Sequence, residues 1–83
     1  MYDKIYTEVF FPTLNKTFNF ALPKEIALGA AVQLMAEIIR EKEQIKLESR
    51  GLLLFDMEKR LLMDPGGTVL TNGIIDGKKL MLV

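Results

Sequence analysis

Apolar and polar positions alternate from Ile5 to Phe11, with Ile5, Thr7 and Val9 on one side and Tyr6, Glu8 and Phe10 on the other. A period of two in β-branched and aromatic residues predicts a strand. Pro12 cannot donate to a ladder and ends it, so Pro12-Thr13-Leu14-Asn15-Lys16 reads as a turn. Alternation resumes from Thr17 to Leu22, with Phe18, Phe20 and Leu22 on one face, and Pro23 stops it. The two strands form a hairpin. From Ala27 to Glu43 the period becomes helical: Leu28, Val32, Met35 and Ile39 make a stripe that Ala31, Leu34 and Ile38 widen. Gln33, Glu37, Arg40, Glu41 and Gln44 fill the other side, and no Ser, Thr, Asp or Asn caps the start. At ~1.5 Å per residue this helix spans roughly 25 Å, enough to cross a four-stranded sheet.

After the polar stretch from Gln44 to Arg50 and the breaker Gly51, the run Leu52-Leu53-Leu54-Phe55 is apolar in both phases of alternation. Asp56-Met57-Glu58-Lys59 turns the chain into a short returning strand, Arg60-Leu61-Leu62-Met63, and Asp64-Pro65-Gly66-Gly67 turns it again. Thr68 to Ile75 is a connection with the buried anchors Val69 and Ile74. Asp76-Gly77 is a tight turn, and Lys79 to Val83 is the last strand, with Leu80 and Leu82 on one face. The order is β-β-α-β-β-β, an α+β chain in which one helix packs on a four- to five-stranded mixed sheet. That is the order of the β-grasp fold, and with 83 residues it forms a single domain, 1–83.

Composition narrows the chemistry. A 49% apolar share suits a dense core and argues against disorder. Eleven basic and eleven acidic residues cancel, so no long-range pull on nucleic acid is expected, and the Lys78-Lys79 pair reads as a solvated turn. The absence of His and Cys removes the usual acid–base and nucleophile pairs, disulfides and most zinc sites. Asp56, Glu58, Asp64 and Asp76 fall at turns, where solvated or turn-capping carboxylates are expected, and Gly66-Gly67 lacks the Lys-Ser/Thr continuation of a phosphate loop. Asn15-Lys16-Thr17 matches a glycosylation sequon but reads as a polar turn. Met1-Tyr2-Asp3-Lys4 does not open a signal peptide, and no apolar run approaches the ~18 residues of a membrane helix. No enzyme activity, metal or cofactor is expected, nor direct membrane insertion.

Several segments resemble a known group. Thr13-Leu14-Asn15-Lys16-Thr17 resembles the first hairpin loop of ubiquitin with one residue missing, and Leu80-Met81-Leu82-Val83 resembles its final strand. Phe18-Asn19-Phe20-Ala21-Leu22-Pro23 leading into Ile26-Ala27-Leu28, and Gly73-Ile74-Ile75-Asp76-Gly77-Lys78-Lys79-Leu80-Met81-Leu82, resemble the YukD/EsaB group of small bacterial ubiquitin-like proteins. These accompany type VII (WXG-type) secretion. The resemblance implies a cytoplasmic accessory or regulatory protein that docks on membrane components or the ATPase of that machinery, as a monomer or weak homodimer.

Two rival readings belong to other classes. Protein modifiers and sulfur carriers of this superfamily end in a flexible Gly-Gly tail, whereas this sequence stops at Val83 inside the predicted last strand and its Gly66-Gly67 is internal, so conjugation is not expected. A self-associating interaction domain, joined through the last strand or an exposed patch, is the other. If Leu80 and Leu82 face the helix, Met81 and Val83 face outward. By analogy with ubiquitin, Leu52 and Leu54 are taken as the outward pair of their run and Leu14 as a loop-tip residue. Leu14, Leu54, Met81 and Val83 are therefore the expected protein-binding patch.

Overall fold

A computed structural model describes residues 4–83; the expectation for Met1-Tyr2-Asp3 lies outside the described residues. The chain runs β1 (Lys4–Phe11), β2 (Lys16–Pro23), α1 (Leu28–Glu43), β3 (Leu54–Asp56), β4 (Leu61–Leu62) and β5 (Lys79–Leu82). The strands make one mixed five-stranded sheet in the order β2-β1-β5-β3-β4. Among the described strands, only the β1–β5 pair is parallel. This is the β-grasp architecture expected from the element order.

The opening hairpin follows its alternation. Ile5, Val9 and Phe11 of β1 and Phe18, Phe20 and Leu22 of β2 are buried beneath the helix, and Asn15 takes the left-handed conformation that closes the turn. Pro23 is the last residue of β2, paired with Lys4. The helix buries Leu28, Ala31, Val32, Met35, Ala36 and Ile39. Leu34 and Ile38, expected to widen its apolar stripe, are 42% and 43% exposed. They lie on one flank of the helix, and Ala36, on the other, sits fully inside.

The missing helix cap is replaced from a distance. Ala27 makes no capping bond with its side chain, but the Leu28 N–H donates to the Gly67 carbonyl at 2.8 Å. That supplies one of the acceptors an uncapped first turn lacks. A Cβ at Gly67 would stand 2.8 Å from Thr71 Oγ1 and 3.0 Å from Asn72 Nδ2, so a side chain there would require those two side chains to shift. Val69, buried as expected with Ile74, donates to the Ile26 carbonyl and ties the 68–75 connection to the helix start.

The Asp76-Gly77 turn sets the position of β5. The Asp76 carboxylate accepts the Tyr6 N–H at 2.9 Å, and Gly77 donates to the Tyr6 carbonyl at 2.8 Å. With Gly77 at φ 81, a conformation glycine takes without strain, the chain enters beside β1 and runs parallel to it. The last strand is therefore central, with β1 on one side and β3 on the other. Both its edges are occupied, which closes the expected route of self-association through it.

Candidate partner-binding face

The helix covers one face of the sheet. The register of the strands determines what the other face shows. Phe10 of β1 stands beside Met81 of β5, Met81 beside Phe55 of β3, and Phe55 beside Leu62 of β4. These four residues form an apolar row across four strands. Phe10, Met81 and Phe55 are each partly exposed, and Leu62 is 58% exposed. One step along, Leu53 and Val83 exchange two main-chain hydrogen bonds, at 2.7 and 2.9 Å, and both remain exposed. Side chains two apart on a strand share a face, so Leu53 joins Phe55, and Val83 joins Met81. On the other side of the row, Glu8 pairs with Lys79, and a shallow groove of about 440 Å³ lies between Glu8, Phe10, Thr17, Met57 and Lys79.

The four residues expected to form a patch separate. Met81 and Val83 are on this outer face. Leu14 is in the hairpin turn, half-buried and packed against the core. Leu54 is in the core, 1% exposed and paired with the fully buried Leu82. The outward placement of Leu54 is thus corrected. The run 52–55 was apolar in both phases, so its pattern did not choose a face; pairing with β5 does. Leu54 inside requires Leu53 and Phe55 outside, and Leu52 turns inward against the core edge. Phe10, Leu53, Phe55 and Leu62 were missed as members of this face, although the outward phase of Phe10 was readable from its alternation.

A buried ion pair supports the face from beneath. Asp56, the last residue of β3, and Lys78, just before β5, are both buried, with the Lys78 ammonium 3.0 Å from Asp56 Oδ2. The other carboxylate oxygen accepts the N–H groups of Glu58 and Lys59 at 2.9 and 3.1 Å. Burial alone would raise the Asp56 pKa. The hydrogen bonds from Lys59, Lys78 and Glu58, with the Lys78 charge, outweigh it and hold the carboxyl below its ordinary value. The pair anchors the 56–60 turn to the start of β5 and so holds the β3–β5 register on which the outer row depends. Solvated turns were expected at both Asp56 and Lys78; only Lys79 is exposed. An aspartate two and three residues before free N–H groups is a local turn signal. Its partner is remote in sequence and gave no signal.

A second concavity, of about 590 Å³, separates α1 from the segment that follows it, with Gly29, Gln33 and Arg40 on the helix side and Ser49, Arg50 and Leu52 opposite. Arg40 is engaged there, donating to the Leu47 carbonyl at 2.6 Å. Among the described residues no group of three or more acidic, His or Cys side chains could hold a metal ion, and no helix is long and apolar enough to cross a membrane.

The mixed sheet, the single helix crossing it and the central last strand define a ubiquitin-like β-grasp fold, and comparison with solved structures bears this out. The ubiquitin-like domain of the Mycobacterium tuberculosis type VII secretion system protein ECCD1 superposes with a TM-score of 0.74 over 98% of both chains at 11% identity. The UBL domain of Plasmodium falciparum Dsk2 gives a TM-score of 0.74 over 98% of this chain and 97% of that one at 16% identity. The ubiquitin of Caldiarchaeum subterraneum gives 0.71 over 96% and 91% at 15% identity. No protein-family model and no curated protein sequence matches the chain.

Proposed function

We propose that this domain is a non-catalytic protein-binding module, a cytoplasmic accessory or regulatory component of a bacterial type VII (WXG-type) secretion system, and that it docks through the outer face of its sheet. The observation that carries the docking reading is the apolar row Phe10–Met81–Phe55–Leu62, extended by Leu53 and Val83. An apolar surface that no described element of the fold covers is characteristic of an interaction site. Aromatic and Met side chains, three of which stand in this row, are the types enriched in interface cores. Met81 and Val83 belong to the original patch; Leu53 and Phe55 take the place of Leu54, and Leu14 stands apart in the hairpin turn.

The assignment to secretion rests on the resemblance of residues 18–28 and 73–82 to the YukD/EsaB group. That a type VII secretion protein carries a domain of this fold is consistent with it. The partner is then a membrane component or the ATPase of that apparatus. Co-expression with those components tests both parts. Wild-type protein is expected to co-purify with one of them, and Leu53→Asp or Met81→Asp to abolish this while leaving the folded amide spectrum in place. Binding that survives both substitutions overturns the docking face. Failure of the wild type to bind any component overturns the secretion assignment.

A further inference from the structure

The two edges of the sheet are unequal. β4 closes one with two residues, while β2 presents eight along the other. On β1, Tyr6 accepts from Gly77 at 2.8 Å and Glu8 donates to the Lys78 carbonyl at 3.1 Å, so these residues direct their main-chain groups toward β5. Successive residues of a strand direct these groups to opposite sides. Ile5, Thr7, Val9 and Phe11 therefore bond their partners Leu22, Phe20, Phe18 and Lys16. The N–H and C=O groups of Thr17, Asn19 and Ala21 point to the open edge.

Proteins protect such edges with charge, proline or a bulge. Here the β1–β2 register runs without a bulge from Lys4↔Pro23 to Phe11↔Lys16. The one proline of β2 is its last residue. Its one charge, Lys16, is its first and is held by Glu43 at 2.6 Å. The stretch from Thr17 to Leu22 is uncharged and free of proline.

We propose that this edge pairs with the same strand of a second copy, antiparallel about a two-fold axis at Asn19. Thr17 of each copy then faces Ala21 of the other, and Asn19 faces Asn19. Each of these pairs exchanges two main-chain bonds, about six in all. The side chains agree with that register. Phe18 meets Phe20 across the axis, an aromatic pair added to the 6.3 Å contact these rings make within one chain. Lys16 meets Leu22, so no like charges oppose each other. Leu34 and Ile38 project from the helix flank opposite the one that lines the groove with Gly29, Gln33 and Arg40, which is the flank on the β2 side. They add apolar surface beside the junction. The product is one continuous sheet with both helices on the same side and both outer faces on the other. The contact uses an edge, so it stands or falls independently of docking through the outer face.

An edge contact of this length falls below the ~1,200 Å² of standard interfaces, so the dimer forms at high protein concentration. Sedimentation equilibrium from micromolar to millimolar protein is expected to show the mass rising toward twice the monomer, with concentration-dependent amide shifts centred on Thr17, Asn19 and Ala21. Asn19→Lys brings two ammonium groups together on the axis and is expected to return the protein to monomer. Leu62→Lys, at the opposite edge, is expected to leave the dimer intact. A wild type that stays monomeric to millimolar concentration overturns the proposal. So does a dimer that persists in Asn19→Lys, one that dissolves in Leu62→Lys, or one whose shifts fall elsewhere.

Discussion

The two faces of the β3–β5 pair are built from the same kinds of residue and end in different surroundings. Leu54, Leu80 and Leu82 point toward the helix and are almost wholly buried, while Leu53, Phe55, Met81 and Val83 point away and remain at least partly exposed. What separates them is the element lying above. On one side α1 closes the core; on the other no part of the described chain does. Apolar character in a strand therefore does not by itself assign a residue to the core. The inner leucines hold the fold together, and the outer set stays uncovered by any described element.

The sharpest way to break this contrast is one substitution at two adjacent positions. Leu54→Asp places a carboxylate in the core at a site 1% exposed, and the cost, about 4 kcal/mol or more, is large against the stability of so small a domain. Chemical denaturation is expected to find it largely unfolded. Leu53→Asp, at a site 38% exposed, is expected to stay folded with a loss of about 1 kcal/mol or less. Equal losses at the two positions would erase the distinction between the faces.

Next in size is the ion pair beneath the outer row. Asp56→Asn keeps an acceptor for the Glu58 and Lys59 N–H groups but leaves the Lys78 ammonium buried without a counter-charge, a loss of about 3 kcal/mol in urea unfolding. The pair also has a pH signature. Because the folded-state pKa of Asp56 is depressed, its contribution is complete above the ordinary aspartate value of about 3.9 and is lost as pH falls through the lower folded-state value. Stability measured down the acid limb is expected to fall less steeply in Asp56→Asn than in the wild type. Identical acid limbs would show that the pair does not link the register to pH.

The smallest effect is a gain. Thr7 faces the core at 2% exposure, and its hydroxyl has no hydrogen-bond partner among the described residues. Thr7→Val keeps the shape and removes the unsatisfied group, and should raise the denaturation midpoint by the equivalent of about 1 kcal/mol. A loss instead would mean that the hydroxyl is satisfied in solution.

Much of this architecture was legible in the residues. The alternation of 5–11 and 17–22 placed both strands of the hairpin and separated their two faces. The 3.6-residue period from Leu28 to Ile39 placed the helix, and Asp76-Gly77 placed the turn before the last strand. The patch was half legible. Met81 and Val83 followed from the alternation around Leu80 and Leu82, whereas the run 52–55 carried no phase and the analogy to ubiquitin chose the wrong one for Leu54.

Local periodicity determined where strands and helix lie and which side of each is apolar, because those properties depend on neighbours a few residues away. The tertiary structure alone decided that Leu54 goes inside, that Asp56 meets Lys78, that Gly67 completes an uncapped helix, and that β2 is left with an open edge. Each of these depends on which strand is brought alongside which, and such pairings join residues too distant in sequence for any local pattern to encode.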